Sequence, residues 1–355
     1  MNQPKSPRIC IVGAGMSGML MAIKLREAGY RNFVIYEKAS EIGGVWRDNR
    51  YPGVACDVAS YAYCYAFEPN LDWSHRFSPG PEIFEYFRGV ADKYDLRRDV
   101  RFNTEVVSAA WRNGQWQVVT SDGCHEHFDV MIAATGPLRE KKYPKIPGLE
   151  DFAGACFHSA DWQDDVELTG KRIGILGTGS SAVQMTAPLA EQAGRLSVFQ
   201  RTPQWIMGTP NPAYTAFSKR LKHWFPSLGW LTRKFYDYVG EQFGLAALAN
   251  GPRRRLVSWL CRLTLNTVKD PELRRKLTPD HEAMCKRMIM SPTYYPALQR
   301  PNVDVVVDEI ERIEPAGIRT VDGALYELDA LVLATGFYPN AWGIPSVIGE
   351  CGRSL

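Results

Sequence analysis

Residues 8–18 read Arg-Ile-Cys-Ile-Val-Gly-Ala-Gly-Met-Ser-Gly, an apolar run that passes straight into three glycines at GxGxxG spacing. Ile9–Val12 has the composition of a buried strand, and Leu20, Ala22, Ile23, Leu25 and Ala28 keep a helical period up to Gly29, placed to end that helix. Asn32–Tyr36 is a second apolar strand closed by the acidic Glu37. This strand–turn–helix–strand unit, with its carboxylate about twenty residues on, is what a dinucleotide fold requires. Gly13 permits the tight turn, Gly15 lets a pyrophosphate approach beside Ser17, and Gly18 lets helix and strand pack. Glu37 is placed to accept both ribose hydroxyls of an adenosine.

The pattern returns at Lys171–Leu176, followed by Gly177-Thr178-Gly179-Ser180-Ser181-Ala182, a helix through Val183, Ala187, Leu189 and Ala190, and a strand at Leu196–Phe199. Here the second strand runs into Gln200-Arg201-Thr202 instead of an acid. A carboxylate repels a 2′-phosphate, whereas a guanidinium holds it with charge-assisted hydrogen bonds. The first turn therefore suits an adenosine without a 2′-phosphate, as in FAD, and the second is expected to prefer NADPH to NADH.

A meander with a turn at Arg112–Gln115 follows the first unit, and then Phe128–Gly136 reads as an apolar strand ending Ala-Thr-Gly. The same ending recurs at Ala330–Gly336, beyond the second nucleotide unit. The expected fold is α/β, with two interleaved Rossmann-like dinucleotide-binding domains, one for FAD and one for NADP. The FAD domain spans 1–143 and resumes over 331–355; the NADP domain spans 144–330, with a helical insert at about 208–285. The aromatics of that insert, Trp224 and Trp230 among them, are expected as packed helix core.

Of the 355 residues, 45% are hydrophobic and 23% charged, the balance of a globular protein that folds around a core. A net charge of +3 argues against nucleic acid as the partner. Residues 208–290 nevertheless carry fifteen Lys/Arg against six Asp/Glu, read as a solvated face that also attracts an anionic cofactor. The eight cysteines form no CxxC pair, so neither a zinc site nor a redox dithiol is expected. Cys56 and Cys64 do not have the spacing of a disulfide reductase. With no apolar run near ~18 residues and no leader-like start, a cytoplasmic location is expected.

Two longer patterns are more specific. Phe152–Trp162 fits FxGxxxHxxxW through Phe152, Gly154, His158 and Trp162. Residues 43–57, GGVWRDNRYPGVACD, fit [AG]GxWxxxx[FY]P[GM]xxxD. On these patterns the chain resembles the Baeyer–Villiger monooxygenases along nearly its whole length, and YYPALQRPNV at 294–303 is similar to the hydroxyacetophenone-monooxygenase-like members. The resemblance implies an FAD- and NADPH-dependent enzyme in which NADPH reduces the flavin and O2 adds at its C4a position. The resulting peroxide would attack a ketone, giving an ester or lactone, and would also oxidise a soft centre such as a sulfide. It places Gly44, Val45, Trp46, Asp57, Tyr63 and Val106 at FAD, and Ala55, Cys56 and Lys286 at NADP, with Lys286 assisting Arg201. It makes Arg287 the cation that stabilises the peroxide and Asp57 its partner, while His158 organises hydrogen bonds. Family members continue past the second Ala-Thr-Gly strand, so Gly352–Leu355 reads either as an interruption of a longer polypeptide or as the end of a truncated homologue. Oxidation of N or S centres, and a truncated nucleotide-binding protein without turnover, are the alternative readings.

Overall fold

The structure is a computed structural model that describes residues 6–338 and 343–354. The chain folds into two compact units: Met1–Asp48, Pro81–Lys142 and Phe337–Leu355 form the first, and Asn49–Gly80 with Tyr143–Gly336 the second.

In the first unit, β1 (Ile9–Val12), α1 (Met16–Glu27) and β2 (Phe33–Tyr36) form the expected nucleotide-binding crossover. Next come α2 (Val45–Asp48), α3 (Gly80–Lys93, all but its first residue in this unit) and β3 (Val100–Arg101). The meander is β4 (Val106–Arg112), β5 (Gln115–Thr120) and β6 (His125–Phe128), followed by β7 (Val130–Ala133). The parallel sheet has the order β3-β2-β1-β7. A second sheet pairs the meander with the short strand Ser346–Ile348, parallel to β4. Asn113 and Gly114 both have positive φ, 52° and 80°, which makes the tight hairpin turn that brings Trp111 opposite Trp116. The strand expected over 128–136 is two elements, because Phe128 closes the meander and only Val130–Ala133 joins β1. Cys10, Val12, Tyr36, Val106, Val118 and Phe128 form a core shared by the two sheets.

In the second unit, β8 (Ala155–His158), β9 (Arg172–Leu176), α4 (Ser180–Gln192) and β10 (Arg195–Phe199) lead to β11 (Ile206–Met207). Four helices follow: α5 (Ala216–Trp224), α6 (Pro226–Leu248), α7 (Pro252–Leu265) and α8 (Pro271–Lys276). Then come β12 (Ile289–Met290), α9 (Tyr294–Leu298) and β13 (Val303–Val306). An antiparallel trio, β14 (Ile310–Glu314), β15 (Gly317–Thr320) and β16 (Leu325–Glu327), precedes β17 (Ala330–Leu333). The five-stranded sheet, β13-β10-β9-β17-β8, is parallel throughout. Its strands read as continuous apolar runs because helices or loops cover such sheets on both faces. Each fully buried Ile or Leu, such as Ile173, Ile175 and Leu331, contributes about 1.5–3 kcal/mol.

Two boundaries differ from the sequence reading. The second Ala-Thr-Gly strand, β17, lies between β9 and β8 in the second unit's own sheet, and the chain rejoins the first unit only at Phe337. Each unit thus has one such strand beside its nucleotide turn, so the repeat marks two equivalent sheets and not a return. Asn49–Gly80, read as part of the first domain, belongs to the second unit. It is stitched to the helices there: the Lys222 ammonium stands 4.9 Å from the Tyr61 ring centre, and Arg233 donates to the Cys64 carbonyl at 2.9 Å. Residues 339–342 and Leu355, part of the segment read as the resumed FAD domain, lie outside the described residues.

The insert's tryptophans are not core. Trp224 is 64% exposed and Trp230 58%. The buried positions of α6 and α7 are Gly229, Ala246, Val257, Cys261 and Leu265, mostly small, while Trp230, Phe235, Tyr238 and Trp259 are exposed. Among the described residues no helix is long and apolar enough to cross a membrane.

Candidate functional site

The first nucleotide turn is set by backbone packing. Gly13 has φ +105°, and a Cβ there would lie 2.6 Å from the Ala134 carbonyl oxygen. Gly18 comes closer still: its Cβ would stand 1.9 Å from the Gly13 oxygen. Gly15 caps α1 without a side-chain bond, which leaves the first-turn N–H groups, Ser17 among them, to an incoming anion. Glu37, only 5% exposed, accepts from the amides of Ala14 (2.9 Å) and Ala39 (3.0 Å) and from Arg47 (3.2 Å). A carboxylate offers about four acceptor positions, so this arrangement leaves one for a ribose hydroxyl, where the sequence suggested two. Gly44 packs against Gly15, and Val45 and Trp46 open the short α2. Val106 is buried in the core, a placement that gives its side chain no polar role. The turn, the uncapped helix end and the buried acid fit the adenosine diphosphate portion of FAD.

The second turn repeats this geometry. Gly177 has φ +126°, and a Cβ there would meet the Ala334 oxygen at 2.4 Å. Thr178 donates to the Thr202 carbonyl at 2.7 Å, which fixes the segment after β10. Gly179 caps α4 without a side-chain bond and has open space where a Cβ would be, a cradle the pyrophosphate of NADPH fits. Ser180, Ser181 and Ala182 form the first turn of α4, and Ala182 is fully buried. Arg201 is exposed at the carboxyl end of the sheet.

The stretch from Tyr51 to Asp57 is fastened to this second turn. The Tyr51 hydroxyl donates to Gln184 Oε1 at 2.8 Å, and Gln184 Nε2 donates to the Ala55 carbonyl at 2.8 Å. Pro188, inside α4, has no N–H to give the Gln184 carbonyl. That oxygen is where Gly53 packs: a Cβ on Gly53 would stand 2.4 Å from it. The Tyr-Pro-Gly turn is therefore shaped by one helix residue. Further along, Cys56 N–H donates to Ser78 O at 3.2 Å and Gly80 N–H to Val54 O at 2.8 Å, closing the loop on itself. Burial pushes the Cys56 thiol up to about 12. Tyr63, in the segment that follows, donates its backbone N–H to the Ala59 and Ser60 carbonyls.

This loop presents Asp57 to Arg287. One guanidinium nitrogen, Nη2, donates to both carboxylate oxygens, at 2.7 and 3.0 Å, across 230 residues of sequence. Asp57 is largely buried and Arg287 largely exposed, with side-chain exposures of 15% and 65%. The Nη1 and Nε groups of Arg287 have no hydrogen-bond partner among the described residues, so they are available to an oxygen anion. Arg287 is held from behind, since Met288 packs against the Cys261 core and Ile289 pairs with Ile206. Lys286 precedes it in the same segment, exposed.

The segments 152–162 and 294–303 are framework. His158 is 1% exposed; its Nδ1 accepts from Ala160 N–H and its Nε2 reaches the Gly336 carbonyl, both at 3.1 Å. Both ring nitrogens are occupied in the neutral form, so His158 ties β8 to the segment after β17. Phe157 and Trp162 stack edge to face beside it. In 294–303, Asn302 closes the end of α4 by donating to Ala190 and Ala193 carbonyls at 3.0 and 2.9 Å. Gln184, Pro188 and Asn302 went unnoticed in the sequence. Only Pro188, a proline within a helical period, left a readable signal there.

Two nucleotide turns, each on its own parallel sheet, and a carboxylate-held arginine define a two-dinucleotide flavoprotein of the oxygenating kind. The comparisons are specific: the chain belongs to the flavin-binding monooxygenase-like family, whose model matches residues 6–340. It is 47% identical over 341 residues to an uncharacterized monooxygenase of Mycobacterium tuberculosis, covering 96% of this chain and 69% of that protein. A Baeyer-Villiger monooxygenase of Streptomyces coelicolor is 39% identical over 352 residues, with 98% and 68% covered. Among solved structures, cyclohexanone monooxygenase from Rhodococcus sp. Phi1 bound to NADP+ aligns with a TM-score of 0.85 at 29% identity, covering 99% of this chain and 75% of that one.

Proposed function

We propose that this protein is an FAD- and NADPH-dependent monooxygenase of the Baeyer–Villiger type, which places one oxygen atom of O2 beside a ketone carbonyl and yields an ester or lactone. The Asp57–Arg287 pair is the observation that carries this reading. Bound FAD, reduced by NADPH, supplies the oxygen-transferring chemistry. The Gly13–Gly18 turn and α1 receive the FAD pyrophosphate, with Glu37 taking a ribose hydroxyl. The Gly177–Ala182 turn and α4 receive that of NADPH, with Arg201 on the 2′-phosphate. Arg287 directs its two uncommitted nitrogens, Nη1 and Nε, at negative charge that develops during oxygen insertion, including that on the substrate carbonyl oxygen. Asp57 holds the guanidinium in position, and its own burial is tolerable because the cation stands against it.

Arg287→Ala should cut oxygenated product on the order of 10²–10³-fold, while NADPH still bleaches the flavin absorbance. The check is a panel of ketones and sulfides incubated with NADPH and O2, with products identified by mass. Ester at the parent rate from the variant would overturn the role of Arg287. Sulfoxide without any ester from the parent protein would replace the ketone reading with oxidation of soft N or S centres.

A further inference from the structure

A cavity of about 320 Å³ opens at the carboxyl end of β10, lined by Gln200, Arg201, Arg275, Lys276, Asp280 and Val307, among others. Val307 follows β13, so the cavity sits where the second and third strands of this nucleotide fold end. Three cations face one carboxylate there. Neither the Arg201 nor the Arg275 side chain has a hydrogen-bond or ion-pair partner among the described residues. Lys276 has only a loose contact with Glu272, at 3.6 Å, and Asp280 is 92% exposed beside His281. Three like charges outnumber the single carboxylate in the lining and repel one another, and a bound dianion relieves that repulsion.

The position of α8 is fixed by bonds that leave these cations uncommitted. Asp270 caps its start through the amides of Glu272 and Leu273. At its end, Gln200 Nε2 donates to the Lys276 carbonyl at 2.8 Å, which ties the helix to the strand that delivers Arg201. Arg274 turns away and donates to the Val268 carbonyl. Arg275 and Lys276 are thereby left to line the cavity, and Lys286 is not in that lining.

We infer that Arg275 and Lys276 complete the anion subsite begun by Arg201, and that its ligand is the 2′-phosphate of a 2′-phosphoadenosine nucleotide. This rests on the proposed reading of the second turn as the NADPH site. The cavity is at the ribose end of the turn, and a dianion meets a clamp of three cations supplied by two elements. Coenzyme preference is then set by the helical insert as well as by the residue after β10.

The test is calorimetric binding of 2′,5′-ADP and of 5′-AMP to the parent protein and to Arg201→Ala, Arg275→Ala and Lys276→Ala. Each substitution should weaken 2′,5′-ADP binding about tenfold, as loss of a charge-assisted hydrogen bond does, and change 5′-AMP binding less than twofold. The NADPH/NADH ratio of kcat/KM should fall in step. Arg275 is exposed and makes no side-chain bond among the described residues, so its variant retains the fold; circular dichroism verifies this, and Lys276→Ala gives an independent measurement. Unchanged 2′,5′-ADP binding in both α8 variants, with weakened binding in Arg201→Ala, overturns the role of α8 and leaves the second turn's reading intact. Unchanged binding in all three overturns both.

Discussion

The turn at Gly13–Gly18 and the turn at Gly177–Ala182 solve one problem with different residues. In both, the first glycine has positive φ and packs on the carbonyl of an Ala-Thr-Gly alanine, Ala134 in one unit and Ala334 in the other. In both, its N–H donates to the last residue of the following strand, Tyr36 or Phe199. They diverge at the third position. Gly18 lies so close to Gly13 that no side chain fits, whereas Ala182 is accommodated and fully buried. They diverge again beyond the second strand: the first unit has a buried acid already held by two amides and an arginine, and the second an exposed arginine whose side chain has no partner among the described residues. On the proposed reading, the shared part cradles a pyrophosphate and the differing parts select the nucleotide.

The third position is where this comparison breaks most readily. Gly18→Ala should destabilise the protein by about 3 kcal/mol, because the clash is with backbone, and should abolish retention of FAD. Protein purified with parent-level flavin absorbance and an unchanged urea midpoint would show that the first turn is looser than described. A subtler separation comes from Gly179→Ala, which has room for its methyl group. It should leave thermal unfolding unchanged yet raise the NADPH KM about tenfold, because the methyl occupies the pyrophosphate's approach. If KM does not move, the second turn does not hold the coenzyme through its backbone. The reciprocal of the first change, Ala182→Gly, should cost only about 1 kcal/mol of helix stability in denaturant unfolding. The smallest effect concerns the strands beneath. Burial pushes the Cys10 thiol of β1 up to about 12, so it stays protonated and stability is lost only as pH rises from about 9 toward 12. At pH 8, mass-resolved alkylation should mark the exposed Cys124, Cys285 and Cys351 and spare Cys10 and Cys56.

The two turns were legible because they are local: strand, glycines, helix and strand lie within about thirty residues, and each constraint is written beside the next. Arg287 and Asp57 were legible only through long patterns shared with a family, since nothing local announces a pair separated by 230 residues. The misplaced return to the first unit has a physical source. Apolar strand-Ala-Thr-Gly looks the same whichever sheet it joins, and only the neighbour, β1 or β9, decides. The insert's tryptophans misled for a related reason. Aromatic residues at helical spacing do not say which face packs, and here small residues such as Ala246 and Cys261 took the inside. Arg275 and Lys276 looked like part of a solvated basic run, and only the Gln200–Lys276 bond places them beside Arg201.

Gln184 gives the second unit a thermodynamic linkage. Its amide bonds both Tyr51 and Ala55, and its carbonyl receives Gly53, so the helix that offers its N-terminus to a nucleotide also restrains the loop that ends at Asp57. By reciprocity, whatever free energy a nucleotide gains from an ordered α4 it returns as order in that loop, and a loop already ordered favours the nucleotide equally. On the proposed reading, the partner of Arg287 and the coenzyme's helix would thus be linked through one residue, Gln184, by its side-chain amide and its backbone carbonyl together.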